Sequence, residues 1–161
     1  MKRLFASLGR DWRPPQVGDK TPVMKLLALV FTVSLIPLTS SYAMEICSGP
    51  NRAARKVTCL VDGDTGWEKG KKWRLQHIDT PELSRPQCGQ EKQKGEAALH
   101  RLSELMAPGY TLQYSGNKDR TSDRRDLVTI RLSDGRDAGQ VLIKEGFAQP
   151  WPNTGNVWCD H

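Results

Sequence analysis

The sequence has no Cys-x-x-Cys pair, and its three histidines, His77, His100 and His161, are scattered without ligand spacing. Both absences argue against a zinc site, which needs thiolates and imidazoles brought together at short spacings. No apolar run reaches the roughly 20 residues that span a bilayer. The longest, Leu26 to Leu38, falls well short and is interrupted by Pro37. There is no internal repeat and, outside that run, no low-complexity stretch. At 161 residues the chain is too short for two comfortable domains, and its 37% hydrophobic content is enough to give one domain a real core.

What is present begins with a leader. Lys25 precedes the apolar run, and Ser41-Tyr42-Ala43 places small residues at the two positions a signal peptidase reads. Residues 24–43 therefore read as a secretory signal peptide cleaved after Ala43. Residues 1–23 contain the polar stretch Gly9 to Pro15, which suits neither a signal n-region nor a packed element. They read either as a disordered extension or as sequence upstream of a true start at Met24. Removing residues 1–43 takes away six of the 24 Lys/Arg and two of the 18 Asp/Glu, leaving 18 against 16, a net charge of +2. The sequence pI near 9.3 is then no argument for a nucleic-acid partner, because most of the basic excess leaves with the leader.

Cys47, Cys59, Cys88 and Cys159 all follow the cleavage point, and an even count in an exported domain favours disulfides over free thiols. Four cysteines allow three connectivities. Along the mature chain, residues 55–61 and 72–78 read as paired strands with a turn at Glu68-Lys69-Gly70, and Glu91 to Met106 reads as an amphipathic helix stopped by Pro108-Gly109. Residues 111–114 and 127–132 read as further strands. Asp137, three residues before Gln140, opens a short helix that ends at Gly146. The pattern gives a β-rich α+β domain over 47–161, a closed or nearly closed sheet with helices packed on it. His77 reads as filling an interior position of that sheet.

Two acidic motifs carry the chemistry. Asp62-Gly63-Asp64-Thr65 closes the first strand, and Asp79-Thr80-Pro81-Glu82 follows the second. Either alone is an ordinary turn or loop opening. Together they offer Asp64, Asp79 and the Thr80 carbonyl as oxygen donors for a hard cation. Arg74 lies five residues before Asp79, and a basic segment spans 120–125. A carboxylate base, a cation and guanidinium forks are what phosphodiester cleavage requires. Arg74 and Asp79 are an odd number of residues apart, so a regular strand would put them on opposite faces. The strand must end or bend between them.

In this order and spacing the residues resemble the thermonuclease (staphylococcal nuclease-like) family. The set is Val61 to Thr65, Arg74-Leu75, Ile78 to Glu82, Gly95-Glu96-Ala97, Arg125 with Leu127, and Glu145 to Ala148, within Val57 to Ala148. The resemblance implies an OB-fold, a five-stranded barrel with flanking helices. It implies Asp64, Asp79 and Thr80 as Ca2+ ligands with Asp62 supporting them, and Arg74, Glu82 and Arg125 as catalytic residues, Glu82 being the base. The family has Tyr-Gly-Arg before the third strand, where this chain has Asp123-Arg124-Arg125-Asp126, one residue shorter. Arg125 is taken as the second arginine because Leu127 fits the family's apolar position, and Arg124 is the alternative. Trp151 stands near a family aromatic and is either a stacking platform for substrate or a packing residue. The cysteine pairing taken is Cys47–Cys59 with Cys88–Cys159.

The expectation is an exported, monomeric, Ca2+-dependent endonuclease acting on DNA and RNA with little sequence specificity, without membrane association once the leader is cleaved. An alternative from another class is a non-catalytic OB-fold module that binds single-stranded nucleic acid. An exported calcium-binding structural domain would explain the carboxylates but leave Arg74 without a role.

Overall fold

The structure, a computed structural model, describes residues 43–121 and 124–159, together with Arg13 and Gly18. The signal-peptide reading of residues 24–42, and nearly all of 1–23, lie outside the described residues. No helix among the described residues is long and apolar enough to cross a membrane.

The elements run β1 (Cys59–Leu60), β2 (Thr65–Glu68), β3 (Lys71–Leu75), β4 (Ile78–Asp79), α1 (Gly89–Met106), β5 (Tyr110–Lys118), β6 (Asp126–Leu132), α2 (Ala138–Lys144) and β7 (Gln149–Pro150). Five of the strands form one mixed sheet in the order β1-β2-β3-β6-β5, and β4 pairs with β7 in a second, two-stranded sheet. All pairings in the large sheet are antiparallel except β3 with β6, which is parallel and reached through α1 and β5.

The sheet does not close into a barrel. β1 and β5 are its two ends, and the outer edge of β1 is already taken. Ile46 bridges Leu60, the Cys47 N–H donates to the Leu60 carbonyl at 2.8 Å, and the Leu60 N–H donates to the Glu45 carbonyl at 2.8 Å. A two-residue strand with both edges occupied has no donors or acceptors left for β5.

Several expectations shift for local reasons. The strand expected over residues 55–61 shrinks to Cys59–Leu60, because residues 52–57 turn back on themselves with Lys56 in the left-handed region. The turn at Lys69-Gly70 is present, both residues at positive φ, but its incoming arm is β2, which lies after the 55–61 stretch expected as the partner strand. β3 ends at Leu75, and the chain bends at His77, where φ is +64°, before β4 begins. That is the break which the odd spacing of Arg74 and Asp79 demanded. His77 itself is exposed rather than interior: the bend turns its side chain off the sheet.

Helix α1 buries Ala98, Leu99, Leu102, Leu105 and Met106, a helical stripe that meets Leu60, Trp73, Leu75, Val128 and Ile130 from the sheet. Asp137 caps α2, accepting from the Gly139 and Gln140 N–H groups at 2.8 and 3.3 Å. Two disulfides are present, Cys47–Cys59 and Cys88–Cys159, and no cysteine is free. The first clamps residue 47 to β1. The second ties the start of α1 to the C-terminal tail.

Candidate functional site

The turn between β1 and β2 places two carboxylates on the core. Asp62 accepts from the Asp64 N–H at 3.1 Å, which fixes the turn, and Asp64 is 2% exposed. Gly63 lies between them because no side chain fits: a Cβ there would meet the Ala98 Cβ at 2.8 Å and the Thr80 Cγ2 at 3.0 Å. The β2–β3 register sets Thr65 opposite Arg74. The Arg74 guanidinium then reaches Asp64 from β2's entry and Asp79 from β4, at 3.0 Å each. The bend at His77 thus brings two motifs 15 residues apart onto one guanidinium. Asp64 also accepts from the Thr65 hydroxyl at 2.8 Å and from the Thr80 N–H at 3.3 Å. Thr80 is itself buried.

Arg125 joins the site from the other side of the sheet's parallel pair. Its guanidinium donates to the Thr65 hydroxyl at 3.0 Å and is held by Asp119 at 2.6 Å, while Asp119 also accepts from the Arg125 backbone N–H at 2.9 Å. Arg124 is exposed, with φ at +44°. Of the two arginines, it is Arg125 that reaches Thr65, whose hydroxyl donates to Asp64. Glu82 is exposed, and its backbone N–H donates to buried Glu91 at 3.3 Å. Glu91 also accepts from the Gln87 N–H at 2.5 Å, so one buried carboxylate organises the loop that carries Glu82.

Asp79 is held on both oxygens. Arg74 donates to one, and the Gln149 and Asn153 amides donate to the other at 3.1 and 3.0 Å. Neither amide stands out in the sequence, since they belong to a tail without periodicity. Only the β4–β7 pairing, Asp79 opposite Gln149, delivers them. Trp151 lies just beyond that pair, its N–H donating to the His77 carbonyl at 2.9 Å, and it is 53% exposed. Asp119, Gln149, Asn153 and Glu91 are the residues that motif reading does not single out. A signal existed only for Glu91, an acidic residue in the first turn of a helix.

Electrostatics follow from burial. Burial raises the Asp64 carboxyl to about 7, with Asp62 adding to the rise and Arg74 opposing it. Burial likewise raises Asp62. At Glu82 partial desolvation, then the charges of Asp64 and Asp79, lift the carboxyl above its ordinary value against the pull of Arg74 and Arg125. Burial would lower the Arg74 guanidinium, but the Asp64, Asp79 and Asp62 carboxylates outweigh it and keep Arg74 charged.

Whether these groups fit a cation can be judged from the donors. Among the described residues no three or more His, Cys, Asp or Glu side chains are gathered so as to hold an ion. Asp64 and Asp79 converge on the guanidinium of Arg74, which occupies the carboxylate oxygens a cation would take, and Thr80 meets Asp64 through its backbone N–H. Carboxylate oxygens are the donors a hard cation takes, whereas zinc takes thiolates and imidazoles, of which this cluster has none. Comparison with protein-family models gives no match, and neither does comparison with curated proteins.

Proposed function

We propose that the chain is an exported, Ca2+-dependent endonuclease of the thermonuclease type that hydrolyses phosphodiester bonds in DNA and RNA, on an OB-type sheet. The observation that carries this reading is the single guanidinium of Arg74 shared by Asp64 and Asp79, with Arg125 beside it on Thr65. A purely calcium-binding structural domain has no use for an arginine fork set on its carboxylates, nor for a second arginine on the hydroxyl beside them. The fold is compatible, since an OB-fold is a partly open five-stranded sheet. Two disulfides suit an oxidising compartment.

Asp64, Asp79 and the Thr80 carbonyl would hold the ion, which supplies Lewis-acid polarisation of the phosphoryl oxygens. Arg74 and Arg125 bind the scissile phosphate through planar forks and oppose the charge that builds up on its oxygens. Glu82 takes the proton of the attacking water on its carboxylate, and a raised pKa makes it a better base than an ordinary glutamate. Asp62 keeps the Asp64 turn in place.

The test is incubation of the protein with single-stranded DNA in calcium and in chelator. Calcium-dependent shortening of the polymer is expected. Asp64→Asn and Asp79→Asn should recover part of their lost rate at higher calcium, whereas Glu82→Gln should stay slow at any calcium. Arg74→Lys should lose about 100-fold, because a point charge does not reproduce a fork. If Glu82→Gln and Arg74→Lys both cleave at the parent rate, the mechanism is wrong. If the parent binds single strands and never cleaves them, the binding-module alternative replaces it.

A further inference from the structure

Net charge says little about this chain, but its distribution in three dimensions says more. The turn of the β2–β3 hairpin packs on the loop that precedes β1. The Gly70 N–H donates to the Val57 carbonyl at 3.0 Å and the Lys69 N–H to the Thr58 hydroxyl at 3.0 Å. A Cβ on Gly70 would stand 2.6 Å from the Ala53 carbonyl oxygen. Two segments far from acidic in sequence, 49–58 and 66–73, thereby share one end of the domain. They hold Arg52, Arg55, Lys56, Lys69, Lys71 and Lys72 against a single acid, Glu68, a net of +5. Glu68 already accepts from the Tyr110 hydroxyl at 2.8 Å. The rest of residues 44–161 has 12 basic and 15 acidic residues, a net of −3.

The same end has a concavity of about 390 Å³, lined by residues 49–53 and Trp67. Arg52 Nε and Trp67 Nε1 are buried and have no hydrogen-bond partner. Lys72 stands over the Trp67 ring, 5.9 Å from its centre. Register then links this end to the candidate active site. Trp67 pairs with Lys72, and Thr65 with Arg74, so Lys72 and Arg74 occupy one face of β3, opposite to buried Trp73 and Leu75. From Thr65 to Glu68 the strand advances only about 10 Å.

We infer that the hairpin end, centred on Trp67 and Lys72 with Arg52, Lys69 and Lys71 around them, is a binding site for the phosphate backbone of a single-stranded nucleic acid, which it leads along β2–β3 toward Arg74. Its ligand takes its identity from the nuclease reading, on which the inference rests. Phosphate oxygens are the acceptors that exposed ammonium and guanidinium groups take, and a flexible strand can follow a short basic face in a way that a duplex, stiff over this length, does not. Arg55 donates to the Pro50 and Ser48 carbonyls, so it shapes the loop while adding charge.

The experiment measures binding of a labelled oligothymidylate of about 30 nucleotides to the full protein in chelator, over a range of salt, with cleavage in calcium assayed in parallel. Lys69→Gln with Lys71→Gln removes two cations from the site, and Lys92→Gln with Lys144→Gln removes two from the helices. The hairpin pair should bind roughly 25-fold more weakly at 0.1 M salt, with the salt slope reduced by about 1.4, the values for two lost phosphate contacts on a single strand. The helix pair should match the parent. Equal losses in both pairs, or a loss under about 3-fold in the hairpin pair, overturns the inference. So does binding of phosphatidylserine vesicles by a protein that ignores the oligonucleotide. A parent that binds in this pattern but never cleaves in calcium sinks the nuclease reading alone and leaves the binding site standing.

Discussion

At the scale of single residues the site is a contest between burial and charge, and its outcome depends on which guanidinium faces which carboxylate. Arg125 and Arg124 are neighbours of identical chemistry, yet only Arg125 is drawn in by Asp119 to reach Thr65. Under the proposed function, Arg125→Ala should lower cleavage by about 100-fold, the usual scale for a lost electrostatic contact. Arg124→Ala should stay within about 3-fold. Equal losses in a side-by-side rate measurement would remove Arg125 from the mechanism. Asp119 gives a pH prediction. Burial would raise its carboxyl, but the hydrogen bonds from Arg125 and Thr121 prevail and hold it below the ordinary 3.8. An acid whose folded value is depressed contributes stability that is present above its ordinary value and lost as pH falls through the lower, folded one. Acid unfolding followed by tryptophan fluorescence should therefore show a loss below pH 3.8 in the parent that is smaller in Asp119→Asn. Identical acid limbs would show that the pair adds no stability.

Elements place residues that no motif places. The β4–β7 pair is only two residues long on each side, but it sets Gln149 and the tail carrying Asn153 against Asp79. Two neutral amides on one carboxylate oxygen fix its rotation without neutralising its charge, which is how outer partners orient a ligand. Asn153→Ala should raise the calcium needed for half-maximal cleavage by about 10-fold, at the low end for such partners, and leave the rate at saturating calcium near the parent's. A fall in saturated rate with no shift in calcium requirement would assign Asn153 to another step. The β2–β3 hairpin is similarly constrained. Gly66 has no room for a Cβ, which would collide with the Trp73 ring and approach the Cys59 carbonyl oxygen to 2.9 Å. That glycine lets the first three strands stack on a buried tryptophan.

Over the whole molecule, small size makes the two crosslinks important. The Cys88–Cys159 bridge spans 71 positions and holds the tail whose buried Trp158 accepts at its carbonyl from Lys94, 3.1 Å away. Replacing both cysteines by serine should cost about 2 to 5 kcal/mol of stability. Because the tail also carries Asn153, the calcium requirement should rise as well. Denaturant unfolding with a calcium titration checks both. A variant that loses stability but keeps the parent's calcium requirement would show that the tail stays on Asp79 without its staple.

Much of this was legible in the chain itself. Apolar spacing gave α1 within two residues of its start, since Ala98, Leu102 and Leu105 recur at the period of a helix. The odd interval between Arg74 and Asp79 required a break, and the break occurs at His77. An even number of cysteines without metal spacing required crosslinks. These are local properties, decided by period, stereochemistry and residue type. Tertiary structure alone decided the rest. Residues 45–47 occupy the free edge of β1 and keep the sheet open, a matter of which distant backbone arrives there. The anchoring of Arg125 on Asp119 and Thr65, the two amides on Asp79, and the gathering of six cations at one end all depend on strand register between segments far apart in sequence. Register is set by packing against a shared core, and no short stretch of sequence contains that information.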